Sequence, residues 1–297
     1  MSQSITPEKF NINLSPNGES TAEVKAGNPV SEFIQETIAL TKRLFIQLQR
    51  RPSTLIAGVI QPLMWLILFG ALFLNAPQGL FGTEISYGKF LAPGVIVFTA
   101  FSGALNAGLP VMFDREFGFL NRLLVAPLAS RFSIVTASTI YIITLAFIQT
   151  AVIVAASAFL GAGLPGLGGL SAIALIVFLI VLGVTALSLG LAFALPGHIE
   201  LIAVIFVTNL PLLFASTALA PMDFMANWLQ YIASLNPLTY AIEPIRYIYL
   251  NGDWGLSSTV MQTPWGGISF LGVLLVLLGF DAIVLLAIQP LLRRRFA

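Results

Sequence analysis

The chain of 297 residues contains no cysteine and a single histidine, His198. Disulfides, thiolate metal centres and cysteine nucleophiles are therefore excluded, a multi-histidine metal site is impossible, and a Ser-His-Asp triad would rest on His198 alone. Charge is scarce as well. Asp, Glu, Lys and Arg make up 9% of the residues, against roughly 25% in soluble domains. The net charge is only +1 and the positive residues gather at the ends of apolar segments, so the chain has no basic face for nucleic acid. A phosphate-binding P-loop is also missing. The nearest approach, Gly82 to Phe90 (GTEISYGKF), has one residue too many between its glycines and Phe90 where Ser or Thr would meet magnesium. With no ATPase site and no resident cofactor or metal expected, any transport must draw on an ion gradient or a separate ATPase. Residues 1–30 are polar, lack the apolar core of a signal peptide, and read as a disordered cytosolic tail.

What the sequence has in excess is hydrophobicity, 57% of residues with a mean hydropathy of +0.93, which marks an integral, multi-pass membrane protein. Over 31–51 the apolar residues Phe33, Ile34, Ile38, Leu40, Leu44, Phe45 and Leu48 share one side of a helix. Charges recur on its other side, so this helix is expected to lie in the membrane interface. Six apolar segments follow, near 54–75, 89–111, 133–160, 171–195, 199–220 and 268–290, each at least the ~20 residues that cross a ~30 Å hydrocarbon core. Ten Lys and Arg flank one side of these spans and only Lys89 and Arg246 the other. The positive-inside rule then places both termini and the 113–131 connection in the cytosol. The connection 221–267 carries Trp228, Tyr231, Tyr240, Tyr247, Tyr249, Trp254 and Trp265. It reads as an external pair of short re-entrant helices broken at Asn236-Pro237.

Between the second and third segments lies FDREFGFLNRLLVAP, residues 113–127. Its charges cannot sit in hydrocarbon, while Phe117, Leu120, Leu123 and Leu124 form an apolar face. From periodicity alone it is either a solvated helix that anchors topology or a docking element. The pattern Asp114, Arg115, Glu116, Gly118, Leu120, Leu123, Leu124 and Pro127 resembles the cytosolic coupling segment of ABC-2 type export permeases. Leu91-Ala92-Pro93-Gly94 at the start of the second span is similar to the same family, as is Leu235-Asn236-Pro237-Leu238-Thr239-Tyr240 followed by Glu243 and Arg246. The resemblance covers about 31–296, and the drug and lipooligosaccharide exporters are the branch it is most similar to.

The resemblance implies an all-α fold of six transmembrane helices over 52–297, an interfacial helix at 31–51, a coupling segment at 113–128 and an external helical segment at 221–267. It also implies a cytosolic ABC ATPase as partner, which would bind ATP and Mg, and a second permease copy, most simply a homodimer. The substrate path would then run between protomers along the first, second and fifth spans. Candidates there are Gln61, Ser102, Asn106, Thr208 and Asn209, with Phe69, Phe98, Phe101 and Phe206 as apolar surface. Neutral polar groups among aromatics suit an amphipathic drug, lipid or glycolipid better than a bare ion. Asn236, Pro237, Glu243 and Arg246 are candidates for an external gate, Glu243 and Arg246 also having the spacing of a local ion pair. Ala100, Ala104 and Gly108 form a small-residue row that serves either a dimer contact or packing within the chain. Asp281, near the centre of the last span, suggests the rival reading of a proton-coupled secondary transporter; the alternative is a structural carboxyl meeting Gln149. A bacterial plasma membrane is the expected location, with a plastid or thylakoid membrane as the alternative.

Overall fold

The computed structural model describes residues 28–73, 87–119, 130 and 132–296. Helix α1 (Pro29–Arg50) starts at Asn28, whose side chain accepts from the Val30 N–H, with proline at the first helical position. It is followed by α2 (Ser53–Leu72), α3 (Tyr87–Leu105), α4 (Gly108–Glu116), α5 (Phe132–Ser157), α6 (Leu167–Ala194), α7 (His198–Phe214), α8 (Asn227–Leu235), α9 (Pro237–Leu250) and α10 (Phe270–Phe296). Among the described residues five helical stretches are long and apolar enough to cross a membrane: Leu55–Leu72, Tyr87–Glu116, Phe132–Ala162, Leu167–Ala194 and Phe270–Leu291. The protein is thus a largely helical membrane protein.

The expected fifth span is shorter than its apolar run. Helix α7 ends at Phe214 rather than near 220, and its 17 residues rise only about 26 Å. The run continues as turns because side chains from elsewhere take the carbonyls at its end, as described below. The expectation for 221–267 is a pair of short helices broken at Asn236-Pro237. Helices α8 and α9 do break at Asn236, but the segment also contains a 3-10 turn (Met222–Phe224) and the first strand of an antiparallel hairpin, β1 (Thr259–Thr263) with β2 (Gly266–Ser269). The Thr263 hydroxyl donates to the Gly266 carbonyl at 2.8 Å, closing the turn.

The α1 stripe divides. Leu44, Phe45 and Leu48 pack against the core, with Phe45 edge-on to Tyr141 of α5, whereas Ile34 and Ile38 remain exposed and Thr37 is buried instead. Most of the core surrounds α3, whose first two thirds are buried almost without interruption. Helices α6 and α10 run parallel: Gly183 faces Asp281 and, seven residues on, Gly190 faces Ile288. A smaller cluster of Val111, Ile134, Leu189, Phe193, Val284 and Ile288 fills the end of the bundle below α4.

The small-residue row resolves in favour of packing within the chain. Ala100, Ala104 and Gly108 are all buried. Between α3 and α4 the helix breaks at Asn106-Ala107, and Ser188 of α6 fills the gap. Its hydroxyl accepts from the Gly108 N–H at 2.9 Å and donates to the Leu105 carbonyl at 2.6 Å. A Cβ on Gly108 would lie 2.4 Å from the Ser188 carbonyl oxygen, so only glycine lets the helices approach this closely.

Candidate functional site

Helix α4 carries three consecutive charged residues out of the apolar bundle, and each binds a different helix. Asp114 accepts a bidentate pair from Arg43 of α1 at 2.9 and 3.0 Å, a geometry that fixes orientation as well as distance. The Arg43 guanidinium also lies 3.8 Å over the Phe119 ring. Arg115 reaches the end of α6, donating to the carbonyls of Ala192 at 2.8 Å, Leu195 at 2.6 Å and Pro196 at 2.7 Å. A cation there satisfies carbonyls the helix leaves unpaired and opposes the negative end of its dipole.

Glu116 does the reverse for α7. Its carboxylate accepts from the His198 backbone N–H at 2.6 Å and meets the His198 Nδ1, so an acid caps the positive end of a helix. The Phe113 ring lies tilted against the His198 ring, their centroids 5.3 Å apart. The lone histidine of the sequence is therefore part of a helix cap.

Phe117 and Gly118 terminate α4. Gly118 has φ +77, a left-handed conformation at the position where helices commonly stop. Among the described residues a Cβ there would meet nothing within 4 Å, and the positive φ is what the turn requires of this position. Phe117 is 78% exposed. Leu120, Leu123, Leu124 and Pro127 lie outside the described residues.

At the opposite end of α7 the external candidates converge. The Asn236 amide donates to the carbonyls of Leu212 at 2.7 Å and Ala215 at 2.6 Å, while its oxygen accepts from the Leu238 N–H at 2.9 Å. One side chain thus closes α7 and opens α9, with Pro237 at the first position of the new helix. Arg246, buried at 5% exposure, pairs with Glu243 as the i,i+3 spacing suggested, donates to the Thr217 carbonyl, and reaches the Phe90 carbonyl at 3.3 Å. Its guanidinium lies 3.9 Å over the Phe90 ring. Burial lowers the Arg246 pKa, and the Glu243 carboxylate and Tyr87 oppose that shift. The Leu91-Ala92-Pro93-Gly94 stretch packs here too: a Cβ on Gly94 would meet the Ala218 carbonyl oxygen at 2.5 Å.

The candidate path residues separate into groups. Ser102, Asn106 and Asn209 form one polar patch between α3 and α7, with Ser102 donating to Asn209 at 3.4 Å and Asn106 to the Ser102 carbonyl at 2.7 Å. Thr208 bonds back to the Val204 carbonyl of its own helix at 2.6 Å. Gln61 and Phe206 are exposed, and Phe69 sits half-buried between Trp65 and Phe73. Phe98 and Phe101 are buried in the core, Phe98 stacking on Trp65, so neither offers surface to a passing molecule.

Asp281 does not meet Gln149. Both its carboxylate oxygens lack a hydrogen-bond partner among the described residues, and the side chain abuts Gly183 of α6. Gln149 is instead wedged between Gly58 of α2 and Gly103 of α3.

A family model described as ABC-2 type transporter matches residues 35–250. The chain is 56% identical over 264 residues to “Putative transport permease ycf38” of Porphyra purpurea, covering 89% of this chain and 91% of that protein. Identity to the protein of the same description in Cyanophora paradoxa is 54% over 264 residues, with the same coverage. At 25% identity over 254 residues the chain is similar to “Probable doxorubicin resistance ABC transporter permease protein DrrC” of Mycobacterium tuberculosis (strain ATCC 25618 / H37Rv), covering 84% of this chain and 87% of that protein.

Proposed function

The chain belongs to the ABC-2 type transporter family, and from that premise we propose that it is the permease subunit of an ATP-driven exporter of amphipathic molecules. A separate cytosolic ABC ATPase supplies the energy, and a second copy of the chain completes the path. In this reading α7 serves as the fifth of six spans, both termini are cytosolic, and the host membrane is a bacterial plasma membrane or a plastid membrane.

The observation that carries the proposal is the charged end of α4. Asp114, Arg115 and Glu116 bind α1, the end of α6 and the start of α7. Their charges are engaged inside the chain, so the docking surface for an ATPase falls to the exposed Phe117 and the residues that follow, through Leu120, Leu123, Leu124 and Pro127. Force applied there would move three helices together, because ionic and cap contacts join them to one rigid end. The far end of α7 is held by Asn236 and Arg246, which makes this helix a strut between the coupling end and the opposite face. The polar patch of Ser102, Asn106 and Asn209 beside it gives a moving path its few hydrogen-bonding groups.

The test is the permease co-expressed with the ATPase that co-purifies with it. Glu116→Lys removes the acid from the α7 start and puts a cation against the positive helix end. Export is expected to fall at least tenfold while the chain remains inserted and ATPase-bound. Unchanged export would refute the coupling role.

A second reading is favoured by one observation, the buried Asp281 carboxyl, which has no hydrogen-bond partner among the described residues. In a proton-coupled transporter Asp281→Asn abolishes transport, whereas ATP-driven export survives it within about threefold, since an amide of the same shape replaces a group with no hydrogen bond among the described residues.

A further inference from the structure

At the end of the bundle away from the α4 charges, two cavities of opposite character adjoin. The first, about 360 Å³, lies between the start of α3, the chain joining α5 to α6, and the residues at and beyond the end of α9. Five of the nine residues 161–169 are glycine, so this wall carries few side chains and leaves room beside it. The polar side chains that line it are Lys89, Tyr249 and Trp254, and among the described residues no carboxylate does. The second, about 290 Å³, is walled mainly by apolar groups of α2 and of the turn Ala158–Ala162, among them Leu66, Ile67, Ala71 and Leu160. Both volumes lie near the lower limit of typical small-ligand sites.

The two are joined. Ala162 lines both, Gly88 of the second precedes Lys89 of the first, and the Ser157 hydroxyl of the second lies 3.4 Å from the Tyr249 hydroxyl of the first. Of the two cations that the sequence places on this side of the spans, Arg246 is committed to Glu243 and to two carbonyls. Lys89 is partly buried, makes no hydrogen bond or ion pair among the described residues, and keeps its ammonium accessible. The Trp254 indole N–H is accessible and without a partner in the same way, and its nitrogen lies 4.0 Å from where a Cβ on Gly169 of the same wall would stand. The polar cavity thus offers donors and a positive charge. The apolar cavity opens toward the membrane, with Ile67 and Leu160 about half exposed. Open space lies over Gly70 of its wall, where a Cβ would meet nothing within 4 Å among the described residues.

We propose that the paired cavities hold an anionic membrane lipid, its phosphate in the cavity of Lys89 and Trp254 and one acyl chain in the cavity of α2 and the 158–162 turn. Charge selects the head: a phosphate accepts from the ammonium and the indole N–H, whereas a zwitterionic head brings a cation of its own against Lys89. The aliphatic wall selects the chain. The polar cavity by itself suits any small anion and the apolar one any chain, but their junction at Ala162 and Ser157 calls for both in one molecule. A lipid seated there packs against the ends of α2, α3 and α5 together. The site depends on the bundle standing in a membrane and not on the export of any cargo.

The experiment adds radiolabelled phosphatidylglycerol to the delipidated full chain in an uncharged maltoside detergent and counts the lipid retained through gel filtration. Phosphatidylcholine with the same chains is the probe without net charge, and glycerol 3-phosphate the anion without chains. Saturable retention of phosphatidylglycerol is expected, about tenfold tighter than phosphatidylcholine, the size of one charge-assisted contact. Lys89→Gln removes that preference and Lys89→Arg keeps it. Gly70→Leu fills the apolar cavity from a helical position with open space above it, and retention falls about tenfold or more, since about two methylenes left unburied already cost that much. Glycerol 3-phosphate at matched concentration leaves the bound lipid in place. Both substitutions sit at positions that hold no other part of the chain, so denaturation midpoints equal to the parent's are expected alongside. Equal retention of the two lipids by the parent, a preference that survives Lys89→Gln, retention unchanged in Gly70→Leu, or displacement by glycerol 3-phosphate each overturns the proposal. Retention is read on the chain without an ATPase, so failure of export leaves the site standing, and failure of retention leaves the export reading untouched.

Discussion

Replacing Arg115 with alanine tests whether the end of α4 is a structural junction. The guanidinium makes three charge-assisted bonds to carbonyls that the end of α6 cannot satisfy internally. Such bonds are worth about 1.5–3 kcal/mol each when protected. The Pro196 bond is exposed and the other two are partly buried, so water recovers much of the loss. Counting the two protected bonds at the low end, and the helix-end charge as part of the same interaction, gives about 3 kcal/mol. Arg115→Lys should recover about half, since an ammonium supplies the charge but not the planar fork that spans three acceptors. The assay is thermal denaturation of the full chain in detergent, followed by loss of the monodisperse peak, with limited proteolysis across 195–198. The alanine variant is expected to denature several degrees below the parent and to be cut faster in that turn. An alanine variant within one degree of the parent, or a lysine variant as damaged as alanine, would refute the reasoning.

Asn236→Ala should cost about 2 kcal/mol, within the range measured for caps, because one side chain serves two helix ends. Asn236→Asp should be at least as damaging: it keeps the acceptor for Leu238 but turns a carboxylate toward two carbonyl oxygens. Thermal denaturation separates these from the parent. Gly183→Ala places a Cβ 2.2 Å from the Asp281 carboxylate oxygen and 2.7 Å from the Phe280 ring, an overpacking worth about 1–3 kcal/mol, and Asp281→Ala in the same chain should relieve part of it, the ring contact remaining. A Gly183→Ala variant as stable as the parent would show that the α6–α10 seam is looser than described. Exchanging Arg43 and Asp114 should restore most of what either single alanine change removes, about 1 kcal/mol for a bidentate pair of this exposure, read as a double-mutant cycle on the denaturation midpoint.

The order of elements was legible because hydrophobic run length and charge placement act locally. The runs at 54–75, 133–160 and 268–290 became helices close to those limits, and Asn-Pro at 236–237 announced a helix start. What was illegible depends on which faces meet. Arg43 and Asp114 lie 71 positions apart, and nothing in one sequence pairs them. Asp281 and Gln149 looked like partners because both are polar in apolar helices, yet periodicity gives a residue's face and not its neighbour. The DRE triplet stood out as charge in the wrong solvent, but its charges were read as facing outward, whereas unpaired helix ends nearby claim two of them. Thr259-Val-Met-Gln-Thr followed by Pro-Trp-Gly-Gly carries a strand and turn signal, but Trp265 equally suits an interfacial belt, and the two signals compete. The end of α7 was misplaced since apolar composition continues to Ala220 while Asn236 and Arg246, distant in sequence, take the carbonyls.

The central claim is that this chain carries cargo but receives its work from another polypeptide at the end of α4. The most direct measurement is uptake of a labelled amphipathic molecule into sealed proteoliposomes holding the chain alone, or the chain with its co-purified ATPase. Accumulation against a gradient is predicted only with both proteins and ATP, and is predicted to vanish with Glu116→Lys. Accumulation by the chain alone, without nucleotide, would contradict the account.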